Sequence, residues 1–381
     1  MKFAKYKVGI LVLIMMVLIQ ITLPYFLSYT DEKSKYTKVF ENNFRLGENV
    51  DSVVFDAFLY HIQKASGYKV VFIGDSVVEG ATVKDNANTI PAYFKELTNH
   101  AFPGKNVLVY NLAIPGNRSS DIYYTYRKIY NTHAADLIIM NLNYAFYSDE
   151  MLKEALIARS ELYKKEIMSD EAKVLGLKYA YLESDALKLV EQWHLYGMRE
   201  ELSYNIFGAN PRQKLFEASK KLLTLENGKQ KSIPTDNSQS TLDKPWWANK
   251  PYPEDKINHW MEAFHIDKLD NKNVGFLFLN KMISDISKNQ MNTITFLTPI
   301  NWKMVDEYNL MKFGTNFNDN MGTIKEKFHQ GGLPLLDFSK AIDSDEFNDL
   351  FHLISNGNKK VAELLLNATK DIIQKGDAND I

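Results

Sequence analysis

Three short segments carry side chains suited to acyl chemistry. Gly74-Asp75-Ser76 ends one apolar run, and Asn111-Leu112-Ala113-Ile114-Pro115-Gly116-Asn117 ends a second. Asp349-Leu350-Phe351-His352 stands before an amphipathic stretch near the C-terminus. A serine hydroxyl is a weak nucleophile until a neighbouring base takes its proton. An aspartate three residues before a histidine can reach the imidazole Nδ1 around a turn. That fixes the tautomer and leaves Nε2 to accept the proton. A glycine at a strand end lets a backbone N–H approach a substrate oxygen closely, as stabilisation of an oxyanion requires. Each segment also has a plain structural reading: a strand-ending turn, a Pro-Gly turn and a solvated Asp–His pair on a loop. Without a cysteine in the chain, a thiol nucleophile, disulfides, thiolate zinc sites and iron–sulfur clusters are excluded. The other histidines (His61, His100, His133, His194, His259, His265 and His329) show no metal-ligand spacing, and no metal or organic cofactor is implied.

These residues need elements to position them. The apolar run Tyr68–Ile73 leads into Gly74, and residues 106–112, 136–142, 293–297 and 333–338 read as four further strands. Residues 89–99, 119–130, 271–288 and 359–374 have helical spacing. Continuous apolar strands alternating with helices imply a parallel sheet covered on both faces. In such sheets ligands bind beyond the carboxyl ends of the strands, which is where Ser76 and Gly116 fall. The rhythm breaks over residues 150–230, which are long, charged and helical in pattern. A polar, mobile loop is expected over 228–249.

With order and spacing included, the three segments resemble the SGNH (GDSL-type) hydrolase family. Val70-Val71-Phe72-Ile73-Gly74-Asp75-Ser76-Val77-Val78-Glu79-Gly80 is similar to its first block, and Asn111 to Gly116 to its second. Asp349 to His352, with Val361, Leu364 and Leu365 in the helix that follows, is similar to its last. Phe296-Leu297-Thr298-Pro299 is similar to the end of its fourth strand. The resemblance covers residues 66–149 and 290–375. It implies an α/β fold, a flavodoxin-like three-layer parallel sheet of about five strands. By resemblance Ser76 attacks an ester carbonyl, His352 is the base and Asp349 orients it. Ser76 N–H, Gly116 N–H and an asparagine amide then hold the oxyanion, and Asp75 braces the turn. One block departs from the pattern. Where the family has Gly-x-Asn-Asp, this chain reads Asn141-Leu142-Asn143-Tyr144. Asn143 is the candidate donor and Asn141 the runner-up, and strand alternation puts both on one face. If neither donates, the two backbone N–H groups remain.

The chain has 381 residues with 45 basic and 47 acidic side chains, a formal net charge of -2, which argues against a nucleic-acid partner. Residues 8–27 are uncharged and apolar apart from Gln20, Thr22 and Pro24. At about 1.5 Å per residue such a helix spans the roughly 30 Å hydrocarbon layer. Lys2, Lys5 and Lys7 precede it, which favours a cytoplasmic N-terminus. No small-x-small cleavage site follows. A single-pass signal anchor in a bacterial cell membrane, with an extracytoplasmic domain, is therefore expected. Residues 1–30 hold three lysines and no acid, so the remainder carries 42 basic and 47 acidic groups, a net of -5.

The expected organisation is an anchor over 1–30, a stalk and lead-in helix over 31–66, and the first half of the core over 67–149. A helical insertion over 150–290 and the second half of the core over 291–381 complete it. Trp246 and Trp247 stand beside prolines in the insertion. Exposed there, they would stack on sugar faces; buried, they would dock the insertion on the core. The resemblance implies a serine esterase or O-acyltransferase acting on an ester, O-acetyl above all, of an envelope or exported polysaccharide. It also points to a multi-spanning membrane acyltransferase as a partner that supplies the acyl group. A non-catalytic envelope or polysaccharide-export assembly protein that kept the fold is the alternative.

Overall fold

The computed structural model describes residues 52–148, 241–312 and 314–376, with residues 14–19, 21–22, 45–46, 50, 162–163, 166–167, 171 and 174. The chain divides into two compact units, one of residues 1–40, 49–58 and 168–232, the other of residues 41–48, 59–167 and 233–381. In the first unit residues 14–19 and 21–22 are helical, and Ile14, Met15, Val17, Leu18 and Ile21 are exposed. The rest of the expected membrane segment 8–27 lies outside the described residues, as do residues 31–44 of the stalk and most of 150–240. Among the described residues no helix is long and apolar enough to cross a membrane.

The second unit is built on a five-stranded sheet of β1 (Tyr68–Ile73), β2 (Val107–Asn111), β3 (Leu137–Leu142), β4 (Thr293–Leu297) and β5 (Leu335–Asp337). Its strand order is β2-β1-β3-β4-β5, and every pairing is parallel. That is the flavodoxin-like order, which reverses direction between β1 and β3 and opens a crevice at their carboxyl ends. The central strands read as unbroken apolar runs because both faces are covered. All six residues of β3 and all five of β4 are buried. β5 is a short edge strand, and its last residue, Asp337, is exposed.

Nine helices are described: α1 (Ser52–Lys64), α2 (Ser76–Glu79), α3 (Ile90–Ala101), α4 (Ser119–Thr132), α5 (Glu254–Glu262), α6 (Val274–Asn289), α7 (Trp302–Glu307), α8 (Phe317–Gln330) and α9 (Ser355–Lys375). Helix α3 packs on α9, and α4 packs on α6. Right-handed crossovers in this strand order put the first pair on one face and the second on the other. Thr89 caps α3 through Ala92 N–H, and Asn273 caps α6 through Phe276 N–H, each satisfying a donor the helix leaves free. Residues 274–289, which the sequence reading placed in the insertion, thus form the crossover helix between β3 and β4. Helix α8 was not anticipated, although its buried Phe317, Met321, Ile324 and Phe328 have helical spacing. Asn301 likewise caps α7 by accepting from Met304 N–H where the chain leaves β4.

Leu365 is fully buried on α9, the helix that follows the His352 loop. Leu365→Ala should lower stability by about 2–5 kcal/mol, read as a lower urea midpoint of the full-length protein. An unchanged midpoint would show that α9 does not carry this layer.

Candidate active site

Ser76 is the first residue of α2, directly after the β1 turn. The turn is shaped by Asp75, whose buried carboxylate caps α2 by accepting from Val77 N–H at 2.9 Å. Asn141 Nδ2 donates to Asp75 Oδ1 at 2.8 Å, and Asn143 Nδ2 donates to Asp75 Oδ2 at 3.1 Å. Asn141 Oδ1 accepts in return from Asp75 N–H at 3.2 Å. The glycine before Asp75 is required by a close approach: a Cβ on Gly74 would lie 2.0 Å from Asn141 Oδ1. Its backbone lies outside the left-handed region, so the requirement is one of space rather than of φ.

Gly116 comes from the loop after β2. Asn117 N–H bonds Ile114 O at 3.1 Å, and Gly116 has φ 75°. Pro115 and Gly116 thus occupy the central positions of a type II turn, the second of which needs positive φ. Gly74 O ties this loop to the Ser76 turn by accepting from Ile114 N–H and from buried Asn117 Nδ2, both at 3.1 Å. Among the described residues neither Ser76 N–H nor Gly116 N–H is given to a protein acceptor.

His352 and Asp349 lie in a narrow loop closed by an antiparallel bridge between Phe347 and Leu353. Asn348 N–H bonds His352 O at 2.8 Å across it. From the β4 side, Asn301 N–H bonds Leu350 O at 3.0 Å and Asn301 Nδ2 donates to Asp349 O at 3.4 Å. From the β1 side, Thr82 Oγ1 donates to Leu353 O at 2.7 Å. Residues 241–252 grip the loop from outside. Asn348 Nδ2 donates to Thr241 O and Lys244 O, Tyr252 OH and Asn249 Nδ2 donate to Asn348 O, and Trp246 N–H bonds Phe347 O. Asp243 accepts from Ser355 N–H and Oγ, both at 2.7 Å, at the start of α9.

Folding brings the two loops together. Ser76 Oγ and His352 Nε2 are 2.8 Å apart, and His352 Nδ1 lies 2.9 and 3.0 Å from the two Asp349 carboxylate oxygens. An ionised carboxylate only accepts, so Nδ1 carries the proton of the neutral ring. Nε2 is then left to accept from Ser76 O–H. Asp349 Oδ1 also accepts from Phe351 N–H and His352 N–H, which locks the carboxylate. The His352 side chain is 25% exposed and Asp349 10%, so the imidazole edge is open while the acid is sheltered.

Burial works against the charge on Asp349. His352, its side-chain and backbone hydrogen bonds, and Lys256 outweigh it and hold the carboxyl well below the usual carboxylate range. Burial likewise pulls the His352 imidazole down, but Asp349 and Asp75 overcome it and raise the ring above its ordinary value.

The asparagines differ in how much of each amide remains. Asn141 Nδ2 also donates to Thr298 Oγ1 at 3.0 Å, so both of its protons are spent. Asn143 Oδ1 accepts from Ala145 N–H, and its Nδ2 gives one proton to Asp75. One proton of Asn143 is left among the described residues. Trp246 is only 1% exposed, with Lys250 Nζ 4.2 Å from its ring centre. Of the two alternatives, Trp246 takes the packing one and offers no face to a sugar, so it drops out as a possible substrate contact. Trp247 is 54% exposed. Asn117, Asn301 and Lys256 were missed as supports of the site. The only sequence signal for the first two is a polar residue just past a strand end.

No family model matches the chain, and no curated protein matches it. Solved structures similar to it include the acetyl xylan esterase AlAXEase, at 11% identity over 79% of this chain and 98% of that one, with a TM-score of 0.38. A variant of the acetyl xylan esterase Axe2 from Geobacillus stearothermophilus shares 11% identity over 80% of this chain and 95% of its own, with a TM-score of 0.36. A lipase/acylhydrolase from Enterococcus faecalis shares 11% identity over 80% and 96%, with a TM-score of 0.35. At these values the functional reading stands on the site's own geometry.

The site makes a prediction independent of turnover. In an NMR titration of the full-length protein, the His352 resonance should have its midpoint above that of an ordinary histidine. In Asp349→Asn it should move to lower pH, because the carboxylate that favours the charged ring is gone. An unchanged midpoint would remove Asp349 as the cause.

Proposed function

We propose that this chain is an SGNH-type serine esterase that works through an acyl-serine intermediate. The observation that carries the reading is the unbroken chain of contacts from Ser76 Oγ to His352 Nε2 and from His352 Nδ1 to Asp349. His352 Nε2 takes the Ser76 proton as Oγ bonds to the ester carbonyl carbon. The carbonyl π electrons move onto oxygen, which faces the Ser76 and Gly116 N–H groups and the remaining Asn143 N–H. Collapse breaks the bond to the alcohol oxygen, which leaves with the proton from Nε2. Water then adds to the acyl-serine by the same route, Nε2 taking its proton and returning it to Ser76 Oγ as the acid departs. Asp349 stays ionised throughout and steadies the imidazolium.

The substrate proposed is an O-acetyl ester of an envelope or exported polysaccharide, met outside a bacterial membrane to which residues 8–27 anchor the chain. The length and apolarity of that segment support the anchor. They also favour a second outcome, in which a sugar hydroxyl replaces water and the acyl group is transferred. A multi-spanning membrane acyltransferase would then be the acyl source.

Full-length protein offered an activated acetyl ester should hydrolyse it, and Ser76→Ala should lower the rate by at least about a thousandfold. Equal rates would favour a non-catalytic assembly protein. Acetylation of an added glycan acceptor above the hydrolytic background would favour transfer.

The asparagines are tested separately. Asn143→Ala should lower kcat by about 100–1000-fold with little change in KM, as loss of one oxyanion donor does. Asn141→Ala should instead lower the thermal midpoint, because Asp75 and Thr298 lose a buried partner. The reverse pattern would exchange their roles.

A further inference from the structure

Lys256 is the third residue of α5, in a segment that the resemblance does not cover. Its Nζ lies 4.0 Å from Asp349 Oδ2. It sits 5.2 Å from the ring centre of Tyr252 and 4.9 Å from that of Trp260. Trp260 is buried, one helical turn along from Lys256, and Tyr252 is fastened through its hydroxyl to Trp246 O and Asn348 O. Two fixed aromatic faces therefore hold the ammonium over the acid, and each attracts a cation through its ring quadrupole. Asp349 Oδ1 already serves two backbone N–H groups and the imidazole. The Lys256 charge faces the other oxygen.

We propose that Lys256 is a positioning residue for the reaction, acting through Asp349 to set how readily His352 releases its proton. The proposal rests on the reading of Ser76 and His352 given above. Its physical content is an offset. Asp349 from the same loop and Asp75 from the β1–α2 turn favour the protonated ring, in which Nε2 cannot act as a base. Lys256 opposes them. Among the described residues no other charge does this from the surrounding elements. On α9, Lys360 is taken up by Asp343 and Glu346. Lys250 is taken up by Glu307 of α7. The Tyr252 phenol, raised by burial and by Asp349, stays neutral. Lys256 thus extends the pH range in which His352 is a free base.

The test titrates His352 by NMR in full-length protein, assigned with His352→Gln, in wild type and in Lys256→Arg, Lys256→Met and Lys256→Glu. The His352 midpoint should rise by about half a pKa unit in the Met variant, the scale of one largely hydrated charge a few ångströms away. It should rise further in the Glu variant and stay near wild type in the Arg variant. The Met shift should shrink at about 1 M NaCl. The acidic limb of kcat/KM for the activated ester should move with it, with the plateau largely kept. Met and Glu midpoints both within about 0.2 unit of wild type would overturn the proposal, since a merely structural lysine leaves the titration unmoved. Because the titration needs no turnover, loss of Ser76-dependent hydrolysis would overturn the esterase reading while the midpoints still decide Lys256. Should the Met variant not fold, Lys256→Gln takes its place.

Discussion

A single buried carboxylate organises the working edge of this sheet. Asp75 is 4% exposed and ionisable, and burying such a group costs several kcal/mol unless its lone pairs are filled. They are filled by Val77 N–H, Asn141 and Asn143. Each partner is thereby fixed in turn. Val77 sets the start of α2 and so the direction of Ser76. The asparagines set the end of β3 and the entry to the next loop. Without the Asp75 carboxyl group, two buried amides would lose their acceptor at once. The residue before the serine is thus a brace, held by the three groups that bond its carboxylate.

The parallel sheet supplies the other constraint. Ser76 and His352 are 276 residues apart in sequence, and only the strand order brings them together. β1 lies near the centre of the sheet, so the turn that follows it opens where the order reverses. The chain returns over β5 at the edge, and the His352 loop folds back across the carboxyl ends toward β1. Asn301, just past β4, and Thr82, just past α2, fasten that loop by backbone carbonyls. The fastening groups lie on the loop's backbone, so its side chains stay available for chemistry.

Much of this was legible because strands and chemistry share one signal. An apolar run that stops at Gly-Asp-Ser marks both the strand and the residue displayed at its end, and the same holds for the run before Gly116. Asp349 and His352 were legible because a local spacing of three residues already permits their contact. What was hidden depends on partners distant in sequence. Asn141 and Asn143 look alike until Thr298 is seen to take the last proton of one of them. Trp246 could be assigned to either face, since an aromatic residue in an irregular segment carries no periodicity to say which way it points. Nothing in the sequence separates Lys256 from the other basic residues. Only the fold shows it beside Asp349. The core boundary was set at 290 because a helix pattern over 271–288 does not by itself say whether the helix belongs to the insertion or to the sheet. The topology requires a crossover helix between β3 and β4, and α6 is that helix.

The two halves of the site therefore have different foundations. Ser76 is placed by the sheet, through Asp75 and the end of β3. His352 is placed by Asn301 and Thr82 together with residues 241–256, which bond Asn348 before it and Ser355 after it and present a charge to its acid. The 2.8 Å contact between Ser76 and His352 measures how well the sheet and this added segment agree. A displacement of about 1 Å in such a pair is enough to cost catalysis roughly two orders of magnitude. A change in residues 241–256 would thus reach the chemistry without touching the sheet or the serine. That gives the segment a structural reason to be ordered that does not depend on its contacting substrate.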